Sequence, residues 1–371
     1  MKVPFFDLRM QDADYKKKLL DACERVLDHG RLILGPEVDA FENRIAQDNE
    51  IKYAVGVASG SSALFMALMS LDIGPGDEVI TTPHTWIITL NAIAACGATP
   101  VCVDIGEDFN IDPRSIGRAI TLRTKAIVPM HYCGQLCDME AISKIATEHQ
   151  LHIVEDAAQA YGGSQNGKKA GSFSTVAAYS MNSMKVLSSY GEAGVVVTNH
   201  ENIANKVKML RYAGTSSDPK KIITNDCHYI SLNHKIDTIQ AAMLLVTMDY
   251  LPQKMKRRTE IAQYYNKRLA GIVGTPKLGG VGNIHALYSY TINADKRDAL
   301  EQFLRSQEVE TKIYHLPMAI SAPVYKDLPK LEIPNAERLV QRCLSLPAHE
   351  KLTNEQIEFT ADKVLEFYGA L

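Results

Sequence analysis

The sequence predicts an α/β fold, with a mostly parallel sheet flanked by helices and a smaller α+β domain after it. Three observations lead there. Short β-rich runs recur through the first part of the chain, the early ones about 20–25 residues apart with helical patterns between them. This is the rhythm of βα units wound around a parallel sheet. The last two runs crowd together, and after Asp237 the pattern changes to one long helical region.

Taken in order, the expected strands are Tyr53–Ala58, Glu78–Thr82, Pro100–Asp104, Lys125–Met130, Leu151–Glu155, Val176–Ser180 and Gly194–Thr198, a seven-stranded sheet. Between the first two, Leu64, Ala67, Leu68 and Leu71 fall on one helical face, and Gly74, Pro75 and Gly76 end that helix. The last two strands are joined by "MNSMKVLSSYGEA", too short for a crossover helix, so this connection is expected to be irregular and to carry functional groups. The region after Asp237 reads as a helix ending at Gly271. A Gly-rich loop follows, then a strand near Tyr288–Ile292, a helix from Asp295, a strand near Val309–Tyr314 and a last helix from Asn354. The expected domains are residues 1–245 and 246–371, bridged by the long helix.

The 371 residues include 46% apolar and 22% charged ones, the balance of a globular protein with a large core. A net charge of −3 without long basic runs gives no footprint for nucleic acid or an anionic membrane. No apolar stretch reaches the roughly 20 residues of a spanning helix. Seven scattered cysteines fit reduced thiols in a cytoplasm. His131, Cys133 and Cys137 cluster, but core packing explains them better than a metal, and no metal site is expected.

Four groups could carry chemistry. "SGSSALF" opens a helix after a strand: Gly60 and Ser61 either form a plain helix start or cradle a phosphate. Trp86, the single tryptophan, follows a strand end and is either a core residue or a flat wall for an aromatic ligand. Asp156, with Gln159 nearby, places a charge at the mouth of a buried strand, where it needs a cation or several donors. Lys185 lies in the irregular connection, either solvated or desolvated for covalent work on carbonyls. Together these are the parts needed to bind pyridoxal phosphate, with Asp156 facing the ring nitrogen.

The blocks "LDIGPGDEVI", "GATPVCVDI", "ITLRTKAIVPMHYCGQLCDMEAI", "VEDAAQAYGG", "GSFSTVAAYS", "GVVVTN", "IDTIQAAML" and "CLSLPAHEKLT" resemble, in order, those of the DegT/DnrJ/EryC1/StrS sugar aminotransferases of fold type I. The resemblance implies a pyridoxal/pyridoxamine phosphate enzyme in which Lys185 joins the cofactor and moves the proton. Asp156 would pair with the ring nitrogen, Trp86 stack on the ring and Gln159 contact its 3-oxygen side. Gly60, Ser61 and Ser180 would hold the phosphate, and Asn233, in "SLNHKID", would reach it from the other subunit of a homodimer. It further implies L-glutamate as donor and a nucleotide-linked keto sugar, a 6-deoxy hexose above all, as acceptor. The sugar nucleotide is expected in a long open cleft at the dimer interface, beside Gly279–Gly282 and "TKIYHLPM", where Tyr314 and His315 would touch substrate or form an ordinary strand end. The chain departs from the family pattern at "YSMNSMK", "GEAG" and "LRYAG".

Other readings compete. A pyridoxamine-dependent sugar dehydratase would carry histidine in place of Lys185. A glutamine-dependent cyclitol aminotransferase has the same motifs. A nicotinamide oxidoreductase needs G-x-G-x-x-G between a strand and a helix, and "LGGVGN" lacks both pattern and context. A non-catalytic sensor on this fold would be expected to lose the lysine or the acid.

Overall fold

A computed structural model describes residues 1–216, 225–329 and 331–370. Helices α1 (Ala13–His29) and α2 (Pro36–Asp48) open the chain. Asp12 caps α1 by accepting the Tyr15 amide, and Gly30 ends it in the left-handed region at φ 69°. Then follow β1 (Tyr53–Val57), α3 (Gly60–Ser70), β2 (Glu78–Thr81), α4 (Ile88–Ala95), β3 (Thr99–Cys102), α5 (Pro113–Ala119), β4 (Thr124–Ile127), α6 (Met139–Glu148) and β5 (His152–Asp156). A small hairpin, β6 (Ser164–Gln165) and β7 (Lys168–Lys169), precedes β8 (Val176–Ser180), β9 (Gly194–Thr198) and α7 (Glu201–Arg211).

The seven-stranded sheet has the order β1-β9-β8-β5-β4-β2-β3. Strands β3, β2, β4, β5 and β8 run parallel, and β9 is antiparallel to both β8 and β1. The fold is therefore the mostly parallel α/β sheet that the sequence predicts. Its strands read as apolar runs because both faces are covered. Val195, Val197 and Tyr179 pack on one face with Phe41, Ile45 and Leu244. Val196 and Ala178, one residue away in each strand, pack on the other with Leu64, Leu68 and Val207.

After β9 and α7, α8 (Thr238–Arg268) crosses from one core to another, with Pro252 inside it. Its Leu244 and Met248 belong to the core under the large sheet. Its Ile261, Ala262 and Tyr265 belong to a second core with β10 (Tyr290–Asn293), α9 (Arg297–Ser306), β11 (Cys343–Leu346) and α11 (Asn354–Phe367). A short α10 (Pro334–Leu339) precedes β11. The N-terminal residues join this second unit: Val3 bridges Val309, and the Phe5 amide donates to Glu310.

One local expectation changes, and one strand comes unforeseen. Residues 309–314 form no continuous strand. Val309 bridges Val3 and Lys312 bridges Ser345, so the segment changes partner before a ladder can build. The strand that does pair with β10 is β11, whose four residues "CLSL" are too short a run to stand out in sequence. No helix among the described residues is long and apolar enough to cross a membrane.

Candidate active site

Parallel strands bring their carboxyl ends to one edge of a sheet, where ligands of α/β proteins bind. Here the loops after β2, β5 and β8 carry Trp86, Asp156 with Gln159, and Lys185. Helix α3 points its N-terminus at the same edge. Ser59 caps it, its hydroxyl accepting the Ser62 amide at 3.1 Å. Gly60 is required here, because a Cβ would stand 2.5 Å from the Ser180 Cβ. Gly194 is required too, since its Cβ would meet the Ser59 carbonyl at 2.2 Å. These two glycines let the helix press against the ends of β8 and β9. Gly60, Ser61 and Ser180 thus come together around the first amides of the helix, which have no partner within it.

Asp156, the last residue of β5, is buried with 6% exposure. Its Oδ2 accepts the Thr89 hydroxyl at 2.8 Å and its Oδ1 the Ala158 amide at 3.2 Å. Burial pushes its pKa up; the Thr89 and Ala158 hydrogen bonds, then the charges of Lys185 and His131, oppose that. Gln159 is oriented by the Cys133 amide, which donates to its Oε1 at 2.8 Å. Its Nε2 therefore faces His315, 3.3 Å away at Nε2. Burial holds His315 far below the usual histidine range, with His84 and Lys185 adding to the effect.

Lys185 stands in a turn closed by its own amide to the Asn182 carbonyl, inside a connection zipped by Met181 to Ala193 and Ser183 to Gly191. Its Nζ lies 4.3 Å from the centroid of the Tyr288 ring. Desolvation lowers its pKa to about 8, against the pull of Asp156. A lysine at 10.5 is almost wholly protonated at neutral pH, whereas this one exposes a reactive amine as pH rises through about 8. Trapping of Lys185 by a small aldehyde and borohydride, read by peptide mass spectrometry, is therefore expected to climb between about pH 7 and 9. A climb only above pH 10 would show an ordinary, solvated lysine.

Trp86 is 62% exposed and is not a core residue. Tyr314 packs beside Tyr288, with ring centroids 5.6 Å apart. Asn233 lies on the exposed segment before α8, where its side chain accepts the Lys235 amide at 3.4 Å. The neighbouring His234 reaches Ser62 in the first turn of α3, 3.0 Å from its hydroxyl. The Gly279–Gly282 loop docks on the β6–β7 hairpin through Gly167 and Ser164 rather than lining the space before Lys185. That space is a cavity of about 380 Å³ between the N-terminal segment, the Lys185 connection and α8, with Lys254, Arg258, Glu350 and Lys351 in its wall.

The sequence reading missed several residues. Thr85 and Thr89 reach Asp156 through hydroxyls, and their i, i+4 spacing at a helix start was the available signal. Tyr288 shields Lys185, and Arg258 holds the Leu287 and Tyr288 carbonyls while pairing with Glu350 at 2.9 Å. His131 and Glu155 form a fully buried pair at 3.0 Å. The His131 Nδ1 accepts the Cys137 amide, and the Cys137 thiol bonds the Met130 carbonyl, so this trio is occupied in holding loops.

The residues fit pyridoxal phosphate on the structure's own terms. A glycine-lined helix start suits a phosphate, an exposed indole suits a ring, a buried acid suits a ring nitrogen and a desolvated amine suits a carbonyl.

Comparison with known proteins agrees. The profile of the DegT/DnrJ/EryC1/StrS aminotransferase family matches residues 13–365. The chain is 40% identical to a pleiotropic regulatory protein of Geobacillus stearothermophilus, covering 99% of each. It is 35% identical to the UDP-2-acetamido-2-deoxy-3-oxo-D-glucuronate aminotransferase of Pseudomonas aeruginosa, over 96% of this chain and 98% of that one. It is 37% identical to the dTDP-3-amino-3,4,6-trideoxy-alpha-D-glucose transaminase of Streptomyces venezuelae, over 99% and 96%. Among solved structures, S. venezuelae DesV in complex with a ketimine intermediate superposes with a TM-score of 0.93 at 36% identity, covering 100% of this chain and 99% of that one.

Proposed function

This chain belongs to the DegT/DnrJ/EryC1/StrS aminotransferase family, and we propose that it moves an amino group from L-glutamate to the C3 keto carbon of a nucleotide-diphosphate-linked hexose. The observation that carries the reading is the pairing of a desolvated Lys185 with a buried Asp156 at the carboxyl edge of the sheet. Both groups are retained, which argues for catalysis over a purely regulatory role. Position 3 is supported by the relatives from P. aeruginosa and S. venezuelae, both named for chemistry at that carbon.

When bound, pyridoxal phosphate supplies the electron sink for loss of a proton from carbon and carries the amino group between the two substrates. The first turn of α3, with Gly60, Ser61 and Ser180, would bind the phosphate, and Trp86 would cover the ring. Asp156 would keep a proton on the ring nitrogen, and Gln159 would serve the 3-oxygen side. Lys185 takes the proton from the glutamate α-carbon at Nζ in the first half-reaction, and the same nitrogen returns one in the second half-reaction. Tyr288 keeps water from that nitrogen. The cationic groups around the cavity, Lys254 among them, suit glutamate carboxylates and a diphosphate. The test is spectroscopic. Glutamate alone should convert the visible cofactor band to the pyridoxamine form, and a 3-keto nucleotide sugar should restore it. A panel of 3-keto and 4-keto acceptors, with 6-deoxy and uronate members, reads the substrate. Restoration by 4-keto sugars alone would overturn the C3 assignment.

We also propose a homodimer with shared sites. Ile230 and Leu232, just before Asn233, are 94% and 70% exposed, apolar surface that a partner would cover. Asn233→Ala should weaken cofactor retention. Mixing it with Lys185→Ala should recover activity, because exchanged dimers hold one intact site. No recovery in a mixture shown to exchange subunits would rule out sharing.

A further inference from the structure

Burial pushes the Asp156 pKa up, yet its proposed task needs it ionised. The hydroxyls of Thr85 and Thr89 answer this. They stand 2.6 Å apart, and Thr89 Oγ1 lies 2.8 Å from Asp156 Oδ2. All three residues are buried, with 2%, 1% and 6% exposure. The direction of the hydrogen bonds is fixed by proton count. A carboxylate only accepts, so Thr89 donates to Asp156; having one proton, Thr89 must accept from Thr85. The relay therefore runs one way, from Thr85 through Thr89 to the acid. The Thr89 amide also donates to the Trp86 carbonyl at 3.0 Å, so the same turn holds the backbone from which the exposed indole projects.

We propose that Thr85 and Thr89 are positioning residues that hold Asp156 ionised and aimed, and so set the affinity of the protein for pyridoxal phosphate. This rests on the cofactor reading given above. The charged or titratable groups facing Asp156 are Lys185 from the β8–β9 connection and His131 from the loop after β4. His131 turns its Nε2 to Glu155 at 3.0 Å, which leaves the hydroxyl relay and the Ala158 amide as the neutral donors on the carboxylate. Of the two, the Thr89 bond is the shorter and the one a side chain controls.

The experiment measures binding of pyridoxal phosphate to apoprotein by fluorescence quenching, across pH, for wild type and three variants. Thr89→Val keeps the shape and removes the donor; its dissociation constant should rise on the order of tenfold to a hundredfold. An acid deprived of its donor takes up a proton more readily, so affinity should also fail at a higher pH than in wild type as pH is lowered. Thr89→Ser keeps the donor and should stay close to wild type. Thr85→Val leaves Thr89 its proton but not its orientation, and should give a smaller, few-fold loss with the same pH trend. Thr89→Val binding within about twofold of wild type at every pH overturns the relay. So does Thr89→Ser as impaired as the valine variant, which would mean that the lost methyl packing mattered. If wild-type apoprotein takes up no cofactor, the reading of the site fails and this proposal fails with it.

Discussion

With Lys185 replaced by alanine, transamination from glutamate should fall by about four orders of magnitude, ~5.5 kcal/mol of activation free energy. Proton transfer at carbon is the slow chemistry of both half-reactions, and no other described group is placed to do it. Asp156 serves the ring nitrogen, burial pushes the Tyr288 phenol pKa up and away from its basic form, and burial holds His315 far below the usual histidine range with Nε2 turned to Gln159. Binding should survive, since the α3 cradle, Ser180 and Trp86 are untouched. Single-turnover conversion of the cofactor band by glutamate, with cofactor retention measured alongside, separates the two effects. A variant that cycles within about tenfold of the wild-type rate would remove Lys185 from the mechanism. Partial recovery with added small amines would instead mark the lost group as the proton carrier.

Asp156→Asn should lower turnover by about three orders of magnitude, ~4 kcal/mol. The substitution is nearly isosteric. The Asn oxygen can keep the Ala158 amide while its Nδ2 donates to the Thr89 hydroxyl, which can turn to accept, so packing is preserved. What goes is the charge that holds a proton on the ring nitrogen, and with it the drive to draw electrons from the reacting carbon. Measured under saturating substrates, the loss should appear in kcat, with KM for glutamate little changed. Near-normal turnover would make the acid a structural group for the β5 edge.

Much of this was legible in the chain. All seven strands of the large sheet stand within a few residues of where apolar runs place them, because strands buried on both faces leave unbroken signals. Their order was not legible. β1 lies beside β9, and no local pattern encodes a partner so far along the chain. The β6–β7 hairpin is polar, with Lys168 and Lys169 in it, and left no trace at all. Lys185 and Asp156 could be found because charge is conspicuous among small and apolar residues. Thr89 was harder to find: beyond its i, i+4 spacing to Thr85, a buried threonine donor looks like any β-branched residue until its partner is in place. Tyr288 and His315 come from the far unit of the chain and meet Lys185 and Gln159 only through tertiary packing.

The pairing of β1 with β9 also bears on how the protein comes into being. Tyr53 lies opposite Thr198, so the first strand made must wait for the last one of its sheet. Such distant pairing is slow, since a long loop must close before any contact rewards it. Until then β1 has no strand partner, and unpaired strands of nascent chains invite association with other chains. The same event seats the start of α3 against Gly194 and Ser180. The anion cradle is therefore completed by closure of the sheet, and a ligand that occupies it binds only the closed form. Such a ligand stabilises the closed sheet and so keeps β1 paired with β9.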